Sequence, residues 1–431
     1  MLQAKNVAKF VFVLALISPL HSQTLDTTTF VVMGEGLAAG MANFGLSSVV
    51  QNRSFPAQIA AQLKTAFPQP LIQPPGLGNV VGYPGGEVRV QAYPQGSVRQ
   101  FYSTDASKIS APPLFVLNMS VPGLTLADSI SMRPVPPIVQ RDMKQTVFNM
   151  ILGFPQLFFD NVPLWSQFEY AKAMFPTVAM VELGYYEALD AAVNGDPTRL
   201  PDPAKFGTTY QTVLAGLRGL QAQVIATTIP NPLDTAYFTA PDVAATITAT
   251  TPFVITAGYG LTQQDYITRN GLQAIGNQFS NGAIGPLPAG SVMKAATAAD
   301  LTSRINALNA AIVASAKATG SQVYDLNGYL HKIRLTGATV GTNAVTAELL
   351  GGFYSLDSVY PGSTGHSLIA NDILAFINQT YKTSFALVDV SKVAAVDMLL
   401  SSKKPATHVF HTAASLGLTL PTDPDSTEPP Q

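Results

Sequence analysis

Five short apolar runs set the strongest limit on what this chain can fold into. They are Thr28–Met33, Leu114–Leu117, Thr177–Leu183, Gln223–Ile229 and Gln322–Leu326. Each is too short for a core helix, and most are rich in Val, Ile and Thr, so they read as buried strands. The stretches between them carry helical spacing. Ser54 caps one helix, with Pro56 in its first turn and Phe55, Ile59, Leu63 and Phe67 as its apolar face. Amphipathic stretches fill much of 139–176, and Ala204–Leu220 reads as helical. Thr297 and Asp300 form a capping-box-like start to a helix bearing Leu301, Ile305, Leu308 and Ile312, which Gly320 stops. Gly365–Asn378 reads as the last helix of the core. Strands alternating with helices predict an α/β fold: a three-layer α/β/α sandwich around a mostly parallel five-stranded sheet. Ligands of such sheets bind beyond the carboxyl ends of the strands. The loops after Met33, Leu117 and Leu183, and the turn before the last helix, are therefore expected to converge on one site.

Two turn-rich excursions interrupt the alternation, at about 68–112 and 230–296. Loops of that length inside a domain are usually functional excursions or lids. The first residues have the pattern of an export signal: Lys5 and Lys9, the apolar core "FVFVLALISPL" from Phe10 to Leu20, and small residues near Ser22. The expected division is a signal peptide over 1–22, one domain over 23–385, and a C-terminal extension over 386–431 whose tail from Pro421 is disordered. No second apolar run approaches the length of a membrane span. The chain is 47% hydrophobic and 12% charged, with a net charge of -2. That composition argues against a disordered chain, and the lack of basic excess argues against a nucleic-acid binder. With no cysteine there are no disulfides, thiol chemistry or cysteine-held metals.

The loop after the first run, "GEGLAAG", has Gly34, Gly36 and Gly40. A dinucleotide cradle would need a helix to open at once toward the pyrophosphate, and an acidic residue about 20 residues on. The sequence instead runs on through "MANFGLSSVVQNRS", with no clear helix before Ser54 and no such acid.

The same loop resembles the first block of the SGNH/GDSL hydrolases, which carry Gly-Asp-Ser-Leu after the first strand. In that frame the nucleophilic serine falls on Gly36, and the preceding aspartate is Glu35. "NMSVPGLTLADS" resembles the second block, whose glycine donates an oxyanion-hole N–H; that glycine is Gly123. "VELGYYEAL" resembles the third, with Tyr186 where the oxyanion asparagine belongs and Glu187 in place of the aspartate. "GGFYSLDSVYPGSTGHSLIANDILAFIN" resembles the fifth, with Asp357 matching the acid and Tyr360 in the histidine position. The resemblance covers roughly Thr28 to Tyr381 in the right order. It implies the SGNH-hydrolase, flavodoxin-like fold, and lipase or esterase ancestry.

Ester cleavage by that family's route needs a hydroxyl, a base and oxyanion donors. Glycine at 36 carries no nucleophile. Tyr360, with a reference pKa of about 10, is a poor base at neutral pH. Asp357 is left without an imidazole to orient. Two substitutes are conceivable: Glu35 activating a water, and His366 as a base. Their plainer readings are a loop carboxylate accepting backbone N–H groups and a capping or packing histidine. No His/Asp/Glu cluster has the spacing of a metal site, and no cofactor is implied. Tyr185, Tyr186, Tyr354 and Tyr360 crowd the expected site. They either fill a disused pocket or give a small-molecule, glycan or lipid ligand something to stack on. The expectation is an exported, catalytically degenerate protein that binds a glycan or acylated envelope component; the alternative is a carboxylic-ester hydrolase with a rearranged site.

Overall fold

The computed structural model describes residues 25–72, 115–153, 156–157 and 162–401. The expected export segment, most of the first excursion and the tail from Pro421 lie outside the described residues.

The central sheet contains β1 (Phe30–Gly34), β2 (Val178–Glu182), β3 (Gln223–Thr227) and β7 (Gln322–Tyr324), in the order β1-β2-β3-β7 and all parallel. β1 and β2 are buried at every position, as runs without alternation should be when helices cover both faces. The second apolar run joins on the far side of β1. It pairs through a parallel bridge between Val32 and Asn118, with Val32 N donating to Leu117 O (2.8 Å), Met119 N to Val32 O (2.9 Å) and Val121 N to Gly34 O (3.1 Å). The paired stretch thus sits a few residues after the expected Leu114–Leu117. By rank along the chain the strand order is 2-1-3-4-5, the singly reversed order of flavodoxin-like sheets. The reversal lies between β1 and β2, which is where a crevice opens at the carboxyl edge. Helices Pro203–Arg218 and Ala295–Thr319 pack together in one layer, and Phe55–Leu63 against Ser363–Tyr381 in the other.

Several local expectations change. Helix Phe55–Leu63 is capped by the Ser54 side chain but ends where Lys64 turns left-handed (φ 56°), so Phe67 lies beyond it and stacks on Phe30 at 5.4 Å. Thr297 does not start its helix. That helix begins at Ala295, whose N–H is accepted by Asp265 at 2.8 Å, a cap from a separate segment that replaces the local capping box. Leu301, Ile305, Leu308 and Ile312 are buried on it, and Gly320 ends it in the left-handed conformation.

Two single-turn helices, Gly36–Ala39 and Ser48–Gln51, precede Ser54 where none is legible in the sequence. Helix Leu326–Thr336 likewise follows β7 directly, capped by Asp325. The 230–296 excursion is more ordered than its turn-rich sequence suggests. β4 (Phe238–Thr239), β5 (Tyr266–Thr268) and β6 (Val292–Met293) form an antiparallel sheet, and helices Pro241–Ile247, Pro252–Tyr259 and Arg269–Ser280 accompany it. Ala244, Ala245, Ile255, Leu261, Ile267, Leu272 and Ile275 give this insertion its own small core. β8 (Ala338–Val340) and β9 (Asn343–Val345) form a hairpin, and the extension past 385 continues into helix Val390–Ala395 against the last core helix. No described helix is long and apolar enough to cross a membrane.

Candidate functional site

The carboxyl ends of β1 and β2 lie side by side, with Gly34 in register with Glu182. Glu35 follows β1, is fully buried, and caps the single turn Gly36–Ala39 by accepting Leu37 N at 2.8 Å. Gly40 closes that turn at φ 84°, a conformation a side chain would strain. N–H groups freed at the start of the turn are therefore taken up by carboxyl oxygens. Glu182 Oε2 accepts Ala38 N (3.2 Å) and Glu35 N (3.4 Å). A third carboxyl, Glu187, stands in the first turn of helix Tyr185–Val193 and accepts Leu126 N at 2.7 Å.

Tyr360 comes in from the loop before helix Ser363–Tyr381. Its hydroxyl donates to Glu35 Oε2 at 3.4 Å, and its ring lies edge-on to Tyr185, centroids 6.1 Å apart. The Tyr185 hydroxyl donates to Val359 O at 3.2 Å. A Cβ built on Gly36 would lie 2.6 Å from the Tyr360 hydroxyl oxygen and 3.0 Å from Met41 Sδ. The space a serine at 36 would need is filled by the phenol at 360.

Asp357 is fully buried and holds the loop instead of a side-chain base. It accepts the N–H groups of Val359 (2.9 Å), Tyr360 (2.8 Å) and Phe44 (3.3 Å). Ser355 Oγ accepts Asn43 N (2.9 Å) and Asn43 Oδ1 accepts Leu356 N (3.2 Å), so the 41–45 and 355–360 loops are stitched together. His366 sits in the first turn of its helix, buried, with Nδ1 accepting Phe55 N at 3.3 Å and its ring stacked on Phe55. Its Nε2 faces the Met41 carbonyl without a full hydrogen bond. Gly123 lies in the buried turn after the strand that carries Val121, at φ 79°. Of the four tyrosines, Tyr185, Tyr354 and Tyr360 are inside the core, while Tyr186 is half-buried and open to solvent in part.

Burial decides the charges. It drives the Glu35 carboxyl up to about 7 against the pull of the Leu37 and Gly36 N–H groups, and the Glu187 carboxyl up to about 7 as well. Glu182 is pushed well above the usual carboxylate range, first by burial and then by Glu35 beside it. Asp357 is raised by burial, partly offset by its backbone donors. The Tyr360 phenol is raised far above its ordinary value by burial and by Glu35, and Tyr186 to about 12. Burial lowers His366 to about 3, so it stays neutral. A phenol this reluctant to ionise and an imidazole this reluctant to protonate do no acid–base work near neutral pH.

Gly36, Glu35, Tyr185, Asp357 and Tyr360 therefore meet around one locus, with Tyr354 in the adjoining loop, and His366 turned away onto Phe55. Glu182 is absent from the reading of the motifs. It had a signal: a carboxylate ending the otherwise apolar run "TVAMVEL", at the strand end where ligands bind. Among the described residues no group of three or more His, Asp or Glu is arranged to hold a metal ion.

No protein-family model matches the chain, and no curated protein matches it. A solved structure, LAE5, an α/β hydrolase enzyme from the metagenome of Lake Arreo, Spain, is similar over 81% of this chain and 94% of that one, at 12% identity and a TM-score of 0.34. The fold described above rests on strand order and register, not on that likeness.

Proposed function

We propose that this chain is an exported protein of the SGNH/GDSL-hydrolase type whose reaction centre has been closed, and that it works by binding a glycan or an acylated envelope component. The observation that carries this reading is the contact between positions 36 and 360. The family frame puts serine and histidine there, which must touch; here glycine and tyrosine touch, and the phenol takes the nucleophile's space. Asp357, given over to three backbone N–H groups, and the neutral, buried His366 support the same reading. Glu35 has the proton affinity of a general base, but two backbone N–H groups and the Tyr360 hydroxyl surround it. A ligand approaching the carboxyl edge would meet Tyr186 first, since the other three tyrosines are enclosed. Export rests on the Lys5, Lys9 and Phe10–Leu20 pattern.

Three measurements test the reading. Purified protein offered short-chain nitrophenyl esters should give no turnover above buffer, and a fluorophosphonate should leave its intact mass unchanged. Turnover abolished by Glu35→Ala or Asp357→Ala would establish the rearranged hydrolase instead. Thermal-shift titration with acetylated chito-oligosaccharides and with medium-chain fatty acids should give a saturable rise for one class, lost in Tyr186→Ala.

A further inference from the structure

We propose that the outer tip of the 230–296 insertion is a lipid-docking surface, which seats its apolar side chains in a zwitterionic bilayer. Two segments form it. Helix Pro252–Tyr259, "PFVITAGY", is apolar almost all round. Ile255 is its one buried residue and faces the small core of the insertion. Phe253 is 75% exposed, and Ala257, one turn on, is exposed as well. A helix that is apolar on every side belongs in a core or against lipid. The loop 281–290 lies beside it: a Cβ built on Gly258 would meet Ile284 at 3.5 Å, and Ile284 is 52% exposed. Phe253 and Ile284 thus share one exposed apolar surface.

The charge pattern selects lipid as the partner. From 243 to 293 the charged residues are Asp265 and Arg269. Asp265 is buried and bonds Lys294 at 3.1 Å, which neutralises the cation that reaches Gly260 at the far end of the helix from Phe253. Arg269 starts helix Arg269–Ser280, about 16 Å of helix away from the 281–290 loop. Every charge carried into a bilayer is penalised, so a surface that enters one sheds its charges. A protein partner makes no such demand, because protein interfaces keep charged groups in their rims. Other exposed apolar side chains here have charged neighbours: Leu335 follows Arg334, and Phe175 stands three residues after Lys172. With no free cation at the tip, an anionic leaflet offers it no extra attraction, which commits the surface to zwitterionic lipid.

The polar groups of the tip are also satisfied from within, as contact with lipid requires. Thr256 Oγ1 turns back onto Pro252 O (2.9 Å) and the Tyr259 hydroxyl donates to Gln278 Oε1 (3.0 Å). The same Gln278 amide serves the loop, accepting Gly285 N at 2.9 Å and donating to Pro286 O at 3.1 Å. Pro286 and Pro288 bring no N–H of their own.

This surface is separate from the closed centre, and its test uses no ligand of that centre, so either reading can fail alone. Phe253→Trp, Ile284→Trp and Leu335→Trp are made in the full chain, with the wild type, whose one tryptophan is Trp165, as baseline. A local probe separates the tip from the apolar Phe10–Leu20 segment, which can bind lipid by itself. With phosphatidylcholine vesicles, Phe253→Trp and Ile284→Trp should shift their emission to the blue and be quenched by lipids brominated along the acyl chain. Leu335→Trp, 70% exposed in the wild type, should do neither. Ile284→Ser added to Phe253→Trp should raise the half-saturating lipid concentration about threefold or more. Phosphatidylglycerol in the vesicles, or added salt, should change it by less than about twofold. All three positions are exposed, so the variants keep the fold. No quenching of Phe253→Trp, equal quenching of Leu335→Trp, or binding that requires phosphatidylglycerol would each overturn the proposal. A blue shift that appears without vesicles and grows with protein concentration would assign the face to a second copy of the chain and overturn it too.

Discussion

The Tyr360 hydroxyl donates to Glu35 at 3.4 Å, joining residues 325 apart in the chain directly over Gly36. Both partners sit in positions where the family resemblance expects catalytic-loop residues, yet the bond fills the site.

A serine at position 36 alone should destabilise the protein. A Cβ on Gly36 meets the Tyr360 hydroxyl at 2.6 Å, and overpacking of this kind costs roughly 1–3 kcal/mol. Gly36→Ser should therefore unfold at a lower temperature, and adding Tyr360→His should recover part of the loss. The triple variant with Tyr186→Asn as well should show measurable turnover of nitrophenyl esters. A folded triple variant without any turnover would reject the alignment of these three positions.

Stability should fall with rising pH through the carboxyl cluster. Glu35 and Glu187 are raised in the native state, so the native protein binds more protons than the unfolded chain between the ordinary carboxylate range and about 7. Their contribution is fully present below about 4.5 and is lost as pH rises through about 7. The size is on the order of 3 kcal/mol per group at most, by 1.4 kcal/mol per unit. His366, lowered to about 3, acts oppositely as pH falls below its ordinary value. The clean readout is thus the difference between wild type and Glu35→Gln in urea unfolding at about pH 5 and about pH 8. The variant should show the smaller decline.

Asp357 should behave as a loop anchor. Asp357→Ala strands the N–H groups of Val359, Tyr360 and Phe44, each costing about 1–3 kcal/mol if left unpaired. Asp357→Asn keeps one carbonyl oxygen for the Val359 and Tyr360 donors and should cost much less. Chemical denaturation of the two variants checks the order; equal stabilities would contradict it.

His366 should not titrate in the folded protein between about pH 5 and pH 8, because burial holds it neutral with Nδ1 on Phe55 N. Imidazole proton shifts followed by NMR should be flat for this residue. A midpoint near the ordinary histidine range for His366 would reopen its candidacy as a base.

Period and punctuation in the sequence determined the α/β alternation, the buried strands, the apolar faces of the long helices and the bare glycine at position 36, because each is written in neighbouring residues. The single-turn helix Gly36–Ala39 and the two-residue strands β4 and β6 leave no such mark, since no period can be read from so few positions. Tertiary structure alone decided the rest. It set Glu182 on the N–H of Ala38, 144 residues away, and Asp265 rather than Thr297 at the start of a long helix. It also packed Tyr360 over Gly36 and spent Asp357 on backbone donors. The physical reason is burial: a carboxyl or phenol has one chemistry in water and another in a dry site, and which of the two it meets depends on segments far away in the chain.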